Sequence, residues 1–321
     1  MGVIERWRHR LPVGSETALT LGEGDTPLIE APVLSRALGV HLYLKLEGTN
    51  PTGSFKDRGM VVAIACAVER GARAVVCAST GNTAASAAAY AVRAGLDALI
   101  VHPAGAVAGP KQAQARVVGA AVVPIDGTFD DALRIAREAA EHGYVVVNSV
   151  NPDRIAGQRT AAYEIVEALG RPPDLLALPY GGGGNTVAYR TGFEVEQASV
   201  RLLSGEAASR ATTVASAIRI GDPVHAAEVA DTGAEVVTLP DEEILAAWSD
   251  LARLEGVFCE PSSAAGLAAL RACPPEAGST VVCVLTGSGL KDVAAVDAHM
   301  PPPPSTPASL DAVLEAAGQH R

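Results

Sequence analysis

Residues 74–102 read AVVCASTGNTAASAAAYAVRAGLDALIVH. The apolar run Ala74–Ala78 is short, β-branched and followed by Ser79-Thr80-Gly81, the pattern of a buried strand entering a turn. Thr83–Ala94 is alanine-rich and reads as a helix, and Ala98–His102 is a second strand. Short apolar strands separated by helices predict a parallel sheet covered on both faces.

The pattern continues outward on both sides. A helix near 109–118, a strand at Ala121–Ile125, a helix at Asp130–His142 and a strand at Tyr144–Asn148 complete one series. A second runs from strand Leu175–Pro179 through helix Thr186–Ala198, strand Glu235–Leu239, helices Glu242–Glu255 and Ala264–Ala272, and strand Thr280–Leu285. The expected fold is α/β with two lobes, each a mostly parallel twisted sheet covered by helices, and a ligand at the carboxyl ends of the strands. Four successive prolines within 300–307 suggest an extended linker before a terminal helix at Ser309–Ala317 that could dock on a neighbour.

Composition narrows the chemistry. The chain is 48% hydrophobic but only 4% aromatic, so Ala, Val, Leu and Ile must build the core. A net charge of −11 with no Lys/Arg block disfavours nucleic acid and anionic lipid as partners. An anionic substrate would need a few convergent cations. Cys66, Cys77, Cys259, Cys273 and Cys283 form no CxxC pair and lack metal-ligand spacing, which suits buried thiols in a reducing compartment. Met1–Arg10 is polar and no apolar run approaches membrane-span length, so the expected location is the cytoplasm.

Four segments carry candidate chemistry. Lys45-Leu46-Glu47-Gly48-Thr49-Asn50-Pro51-Thr52-Gly53-Ser54-Phe55-Lys56-Asp57-Arg58-Gly59 is an apolar strand, a turn-rich loop and one lysine where a helical run begins. A helix N-terminus and nearby cations lower an amine's proton affinity and free it for imine chemistry. Taken alone, such a lysine is more often a surface residue. Ser79-Thr80-Gly81-Asn82-Thr83 lies between strand and helix, as an anion site or as a helix cap from Thr80 or Asn82. Gly181-Gly182-Gly183-Gly184-Asn185-Thr186 leaves successive amides unshielded before a helix, which favours a bound phosphate; a flexible linker is the bland alternative. Leu285-Thr286-Gly287-Ser288-Gly289 ends an apolar strand and could equally be an ordinary turn.

Together, in this order, these segments resemble those of the fold-type-II pyridoxal-phosphate (PLP) enzymes, the tryptophan-synthase-β-like group, and within it the threonine synthases. Gly22-Glu23-Gly24-Asp25-Thr26-Pro27-Leu28, Ala217-Ile218-Arg219-Ile220-Gly221 and Glu260-Pro261-Ser262-Ser263-Ala264-Ala265 extend the resemblance from about residue 22 to about 292. It implies that Lys56 forms a Schiff base with PLP and moves protons. It implies further that Asn82 meets the 3′-oxygen of PLP, that Gly181, Gly182, Gly183, Gly184 and Asn185 cradle its phosphate, and that Thr286 lies against the ring nitrogen. Thr83 would face the substrate, and Ser149 and Arg154, in Asn148-Ser149-Val150-Asn151-Pro152-Asp153-Arg154, would hold the substrate phosphate. The implied reaction converts O-phosphohomoserine and water to threonine and phosphate. The alternative is a related lyase or β-replacement enzyme, a threonine/serine dehydratase or an O-phosphoserine-using synthase. Residues 1–56 and 147–321 would form the large cofactor domain and 57–146 a small mobile one, in a homodimer. The chain departs from the resembled enzymes by being shorter between Asn185 and Ala217.

Overall fold

The computed structural model describes residues 1–105, 109–300 and 302–318. Its strands are β1 (Leu28–Glu30), β2 (His41–Leu46), β3 (Ala74–Ala78), β4 (Asp97–Pro103), β5 (Ala121–Ile125), β6 (Tyr144–Val146), β7 (Leu175–Pro179), β8 (Arg201–Ala207), β9 (Glu235–Leu239) and β10 (Thr280–Leu285). They form a six-stranded sheet ordered β1-β2-β10-β7-β8-β9 and a four-stranded sheet ordered β5-β4-β3-β6. Every pairing is parallel except β1 with β2. β7 and β10 are buried along their whole length, as continuous apolar runs in a doubly covered sheet must be.

Most predicted elements appear within a residue or two of their expected ends. β3, β5, β7, β9 and β10 match residue for residue. β6 stops two residues early, because the Asn148 side chain takes over the pairing. Its Oδ1 accepts from Ala78 N at 2.9 Å and its Nδ2 donates to Ala78 O at 2.8 Å. β8 was not anticipated: Arg201, Gly205 and Glu206 break its apolar pattern. Gly205 has a packing reason, since a side chain there would strike the Ala265 carbonyl of the helix Ala265–Ala272. The terminal helix is present at Leu310–Gly318 with Leu310, Val313 and Leu314 exposed. Of the proline-rich tail, Pro301 lies outside the described residues.

Alanine does most of the packing around the four-stranded sheet. Helix Lys56–Glu69 buries Met60 to Ala67 against Val75, Cys77, Ala84, Ala87 and Ala88. Val3, Ile4 and Leu11 from the N-terminal segment complete this core. Four cysteines are buried and Cys273 is half-buried, all as free thiols.

One helix contact positions the site. Helix Pro152–Gln158 meets helix Lys56–Glu69 at two glycines. A Cβ on Gly157 would collide with the Arg58 carbonyl and stand 2.8 Å from Gly59 Cα; one on Gly59 would stand 2.6 Å from Arg154 O. The backbones therefore touch, which brings Arg154 beside the start of the helix that carries Lys56. Gly157→Ala must push the helices apart. We expect it to lower stability by about 1–3 kcal/mol, in the range for overpacking, read as a fall of several degrees in the thermal midpoint of the apoprotein. An unchanged midpoint would show that the helices have room.

Candidate active site

Parallel topology gathers the chemistry at one edge. The loops after β2, β10 and β7, which are neighbours in the large sheet, carry Lys56, Thr286 and Gly181–Gly184. Those after β3 and β6, neighbours in the small sheet, carry Asn82 and Ser149. Phe55 N donates to Thr286 O at 3.0 Å and Ser54 bridges Gly287, so the lysine loop and the Thr286 turn are one backbone unit. A cavity between them is lined by Lys56, Ser149, Gly181, Gly182, Gly183, Gly184, Asn185 and Thr286, with Phe55, Ile155 and Ile218 as its apolar walls.

Lys56 opens the helix, and its Nζ sits 4.3 Å from the Phe55 ring centroid. Among the described residues that amine has no hydrogen-bond partner. Its pKa falls to about 7, first because burial disfavours the ammonium and then because of the Arg154 charge, with Glu260 and Cys77 opposing. From sequence, the helix terminus and nearby cations were the expected causes. Burial is the larger cause here, and Arg154 supplies the cation.

Arg154 is fully buried, behind the cavity rather than among the residues that line it. Its Nη1 donates to Val147 O at 3.3 Å, while Nε and Nη2 have no partner. Burial pulls its pKa down to about 10. A guanidinium enclosed in protein with two idle donors is costly unless an anion completes it.

The glycine loop fits a phosphate. Gly183 has φ +85°, and a side chain there would press to 2.9 Å from Val229. Gly184 opens a twelve-residue helix, Gly184–Val195. Asn185 Nδ2 is buried and unpartnered. His225 N donates to Gly182 O at 3.0 Å, and the His225 ring lies 2.9 Å from Ser149 O, tying the glycine loop to the Ser149 loop.

The remaining residues are placed as follows. Thr286 Oγ1 pairs with Ser263 Oγ at 3.0 Å. Asn82 is buried outside the cavity wall, donating to Glu260 Oε1 at 2.9 Å, with its own Oδ1 unpartnered. Neither Thr80 nor Asn82 caps the helix, whose cap is Gly81 without a side-chain bond. Thr83 is half-buried on the first turn and does not line the cavity. Glu260, Ser263 and His225 were missed as functional residues. Only the quoted Glu260–Ala265 segment hinted at the first two, because their partners are remote in sequence.

The donor set fits PLP. The glycine loop and helix terminus suit its phosphate, the neutral amine suits its aldehyde, and a hydroxyl suits its ring nitrogen.

The model of the pyridoxal-phosphate dependent enzymes matches residues 19–287. A threonine synthase of Halalkalibacterium halodurans is 49% identical over 318 residues, covering 91% of this chain and 90% of that protein. The chain belongs to the threonine synthase family of pyridoxal-phosphate dependent enzymes. A threonine synthase of Mycobacterium leprae is 47% identical over 345 residues, covering 99% of this chain and 96% of its own. That span exceeds the 321 residues of this chain, so this threonine-synthase relative carries segments absent here. Among solved structures, a threonine deaminase from T.th. has a TM-score of 0.72 and 27% identity, covering 82% of this chain and 92% of that one. Maize serine racemase, with a TM-score of 0.74, 24% identity and 92% coverage of both chains, shares the fold.

The lowered lysine pKa has a consequence for stability. The native apoprotein holds Lys56 neutral down to about pH 7, whereas the unfolded chain protonates it below about 10.5. Lys56 thus destabilises the fold fully below about pH 7, and the cost fades as pH rises toward 10.5. Lys56→Met apoprotein should exceed the wild type in thermal midpoint, most at neutral pH and least near pH 10.5. A gap independent of pH would mean that the amine is not depressed.

Proposed function

We propose that this chain converts O-phosphohomoserine and water to threonine and phosphate, with Lys56 as Schiff-base lysine and proton carrier. The observation that carries the substrate assignment is Arg154: two buried, idle N–H donors beside a depressed amine call for an anionic group on the reacting molecule. The threonine-synthase relatives at 47–49% identity point the same way.

PLP, when bound, accepts the electron pair left as a proton leaves the substrate carbon. Lys56 Nζ, its pKa lowered to about 7, takes that proton and returns it later. Arg154 and Ser149 grip the substrate phosphate, Arg154 through its planar fork, and orient it for departure from Cγ. Thr83 faces the substrate once the small lobe closes. Asn82 contacts the 3′-oxygen of PLP, and Gly181, Gly182, Gly183, Gly184 and Asn185 hold its phosphate. Thr286, paired with Ser263, offers the ring nitrogen a hydroxyl and no negative charge. A ring without a carboxylate partner is a weaker electron sink, which suits elimination and replacement over transamination.

Residues 1–56 and 147–321 act as the cofactor domain and 57–146 as a small lobe that closes on the substrate and restricts water to the productive step. The protein works as a homodimer in the cytoplasm. No helix among the described residues is long and apolar enough to cross a membrane.

The decisive assay incubates the PLP-loaded protein with O-phosphohomoserine, O-phosphoserine, threonine and serine in parallel, following phosphate, threonine and 2-oxo acid. Phosphate and threonine from the first alone are expected. A 2-oxo acid from threonine or serine, with phosphohomoserine inert, would instead make the chain a dehydratase. Arg154→Ala should lower kcat/KM for phosphohomoserine about 100-fold or more, as loss of a buried charge-assisted phosphate contact requires. Borohydride reduction of the loaded protein should label Lys56 and no other lysine.

A further inference from the structure

Glu260 is fully buried at the junction of the two sheets, yet it has no part in the reaction outlined above. It precedes the short 3-10 helix Pro261–Ala264, on the large-sheet side. Its backbone N donates to Gly287 O at 3.0 Å. Gly287 is glycine for a steric reason: a Cβ there would strike the Glu260 carboxylate. Both carboxylate oxygens point across the junction. Oε1 accepts from Asn82 Nδ2 at 2.9 Å, and Oε2 lies 2.9 Å from Lys111 Nζ.

Both partners belong to the other side. Asn82 starts the helix after β3, and Lys111 is on helix Pro110–Val117 between β4 and β5. The same helix is held a second time. Lys111 Nζ donates to Ser216 Oγ at 3.0 Å, and Gln114, one turn on, accepts from Lys291 Nζ at 2.5 Å. Ser216 and Lys291 are on the large-sheet side, so helix Pro110–Val117 is latched across the junction by part-buried polar bonds.

We propose that Glu260 is a positioning residue that couples this latch to the cofactor contact of Asn82. The proposal rests on Asn82 meeting the 3′-oxygen of PLP, as assigned above. A carboxylate only accepts, so it forces the Asn82 amide nitrogen to face it and fixes the flip of the side chain. One N–H of that nitrogen is then used, and the second remains for the cofactor oxygen. Lys111 meets the other carboxylate oxygen, so one side chain ties both helix Pro110–Val117 and the Asn82 amide to the large-sheet side.

Three variants separate this coupling from mere packing. Glu260→Gln keeps an acceptor for Asn82 but loses the ion pair to Lys111. Lys111→Met loses the ion pair from the other end, and Glu260→Ala loses both contacts. Amide hydrogen exchange of helix 110–117 in the apoprotein should rise about ten-fold or more in all three, as expected for a lost buried ion pair. The absorbance maximum of the lysine-bound cofactor should stay at the wild-type position in Glu260→Gln and shift, with weaker cofactor binding, in Glu260→Ala. Wild-type exchange in Glu260→Gln and Lys111→Met would overturn the latch. A wild-type spectrum and cofactor affinity in Glu260→Ala would overturn the coupling. If Glu260→Ala fails to fold, an absorbance shift in Glu260→Gln as large as that of Asn82→Ala would overturn it equally. Loaded wild-type protein that binds cofactor and makes no threonine would remove the assigned reaction without touching these readouts.

Discussion

Everything around the lysine loop is fastened to the guanidinium of Arg58, two residues after Lys56. It is enclosed completely, and its fork is saturated. Nε and Nη2 donate to the two oxygens of Glu47 at 2.7 and 2.8 Å, Nη1 and Nη2 to those of Glu164 at 2.7 and 2.6 Å, and Nη2 also to Thr26 Oγ1 at 2.9 Å. Lys45 adds a second cation, donating to Glu164 at 2.7 Å and to Thr26 O. Two cations against two carboxylates balance in charge, and each oxygen is used. Arg58 is held above its ordinary range and Glu164 below, since burial alone would disfavour each charge and the partners outweigh it. Such a cluster specifies geometry more than it adds stability, because desolvation offsets much of the attraction.

The cluster explains segments that otherwise look unrelated. Glu47 follows β2, Glu164 lies on helix Thr160–Leu169, and Thr26 belongs to the Gly22–Leu28 loop. Asn50 joins them, donating to Glu47 and accepting from Gly24 N at 3.0 Å. The turn from strand to Lys56 is therefore fixed by side chains from four parts of the chain. An amine that must meet an aldehyde at one angle gains from a loop that arrives already shaped. The Gly59–Gly157 contact then brings the Arg154 backbone against the helix that carries Lys56.

Legibility in the sequence follows the range of the causes. Strands β3, β7 and β10 were readable because a buried parallel strand is a local apolar run, and the glycine loop because unshielded amides before a helix are a local pattern. Lys56 needed the resemblance to stand out from other lysines. β8 was hidden because Arg201, Gly205 and Glu206 are explained only by neighbours elsewhere in the chain. The same holds for Glu260. Its partners Asn82 and Lys111 are separated from it by 178 and 149 positions, so no periodicity could point to them. The cause of the Lys56 depression was half legible. Neighbouring charge could be guessed from Arg154 in the family motif, but burial, the larger effect, is a property of the packed molecule.

The division of labour in the site also accounts for what the fold leaves open. Threonine deaminase and serine racemase share this architecture at 27% and 24% identity, so the two sheets cannot by themselves select a reaction. The cofactor end is built largely from backbone: a glycine loop, a helix terminus and a turn bonded to the lysine loop. On the proposed reading the substrate end follows β6, with Arg154 of helix Pro152–Gln158 enclosed and incompletely bonded and Ser149 held through its carbonyl by His225. On the same reading, the two unpartnered nitrogens of buried Arg154 are the basis of selection for a phosphorylated substrate. A substrate lacking the phosphate would leave those donors unpaired at every turnover, and that penalty discriminates more strongly than any apolar wall of the same pocket could.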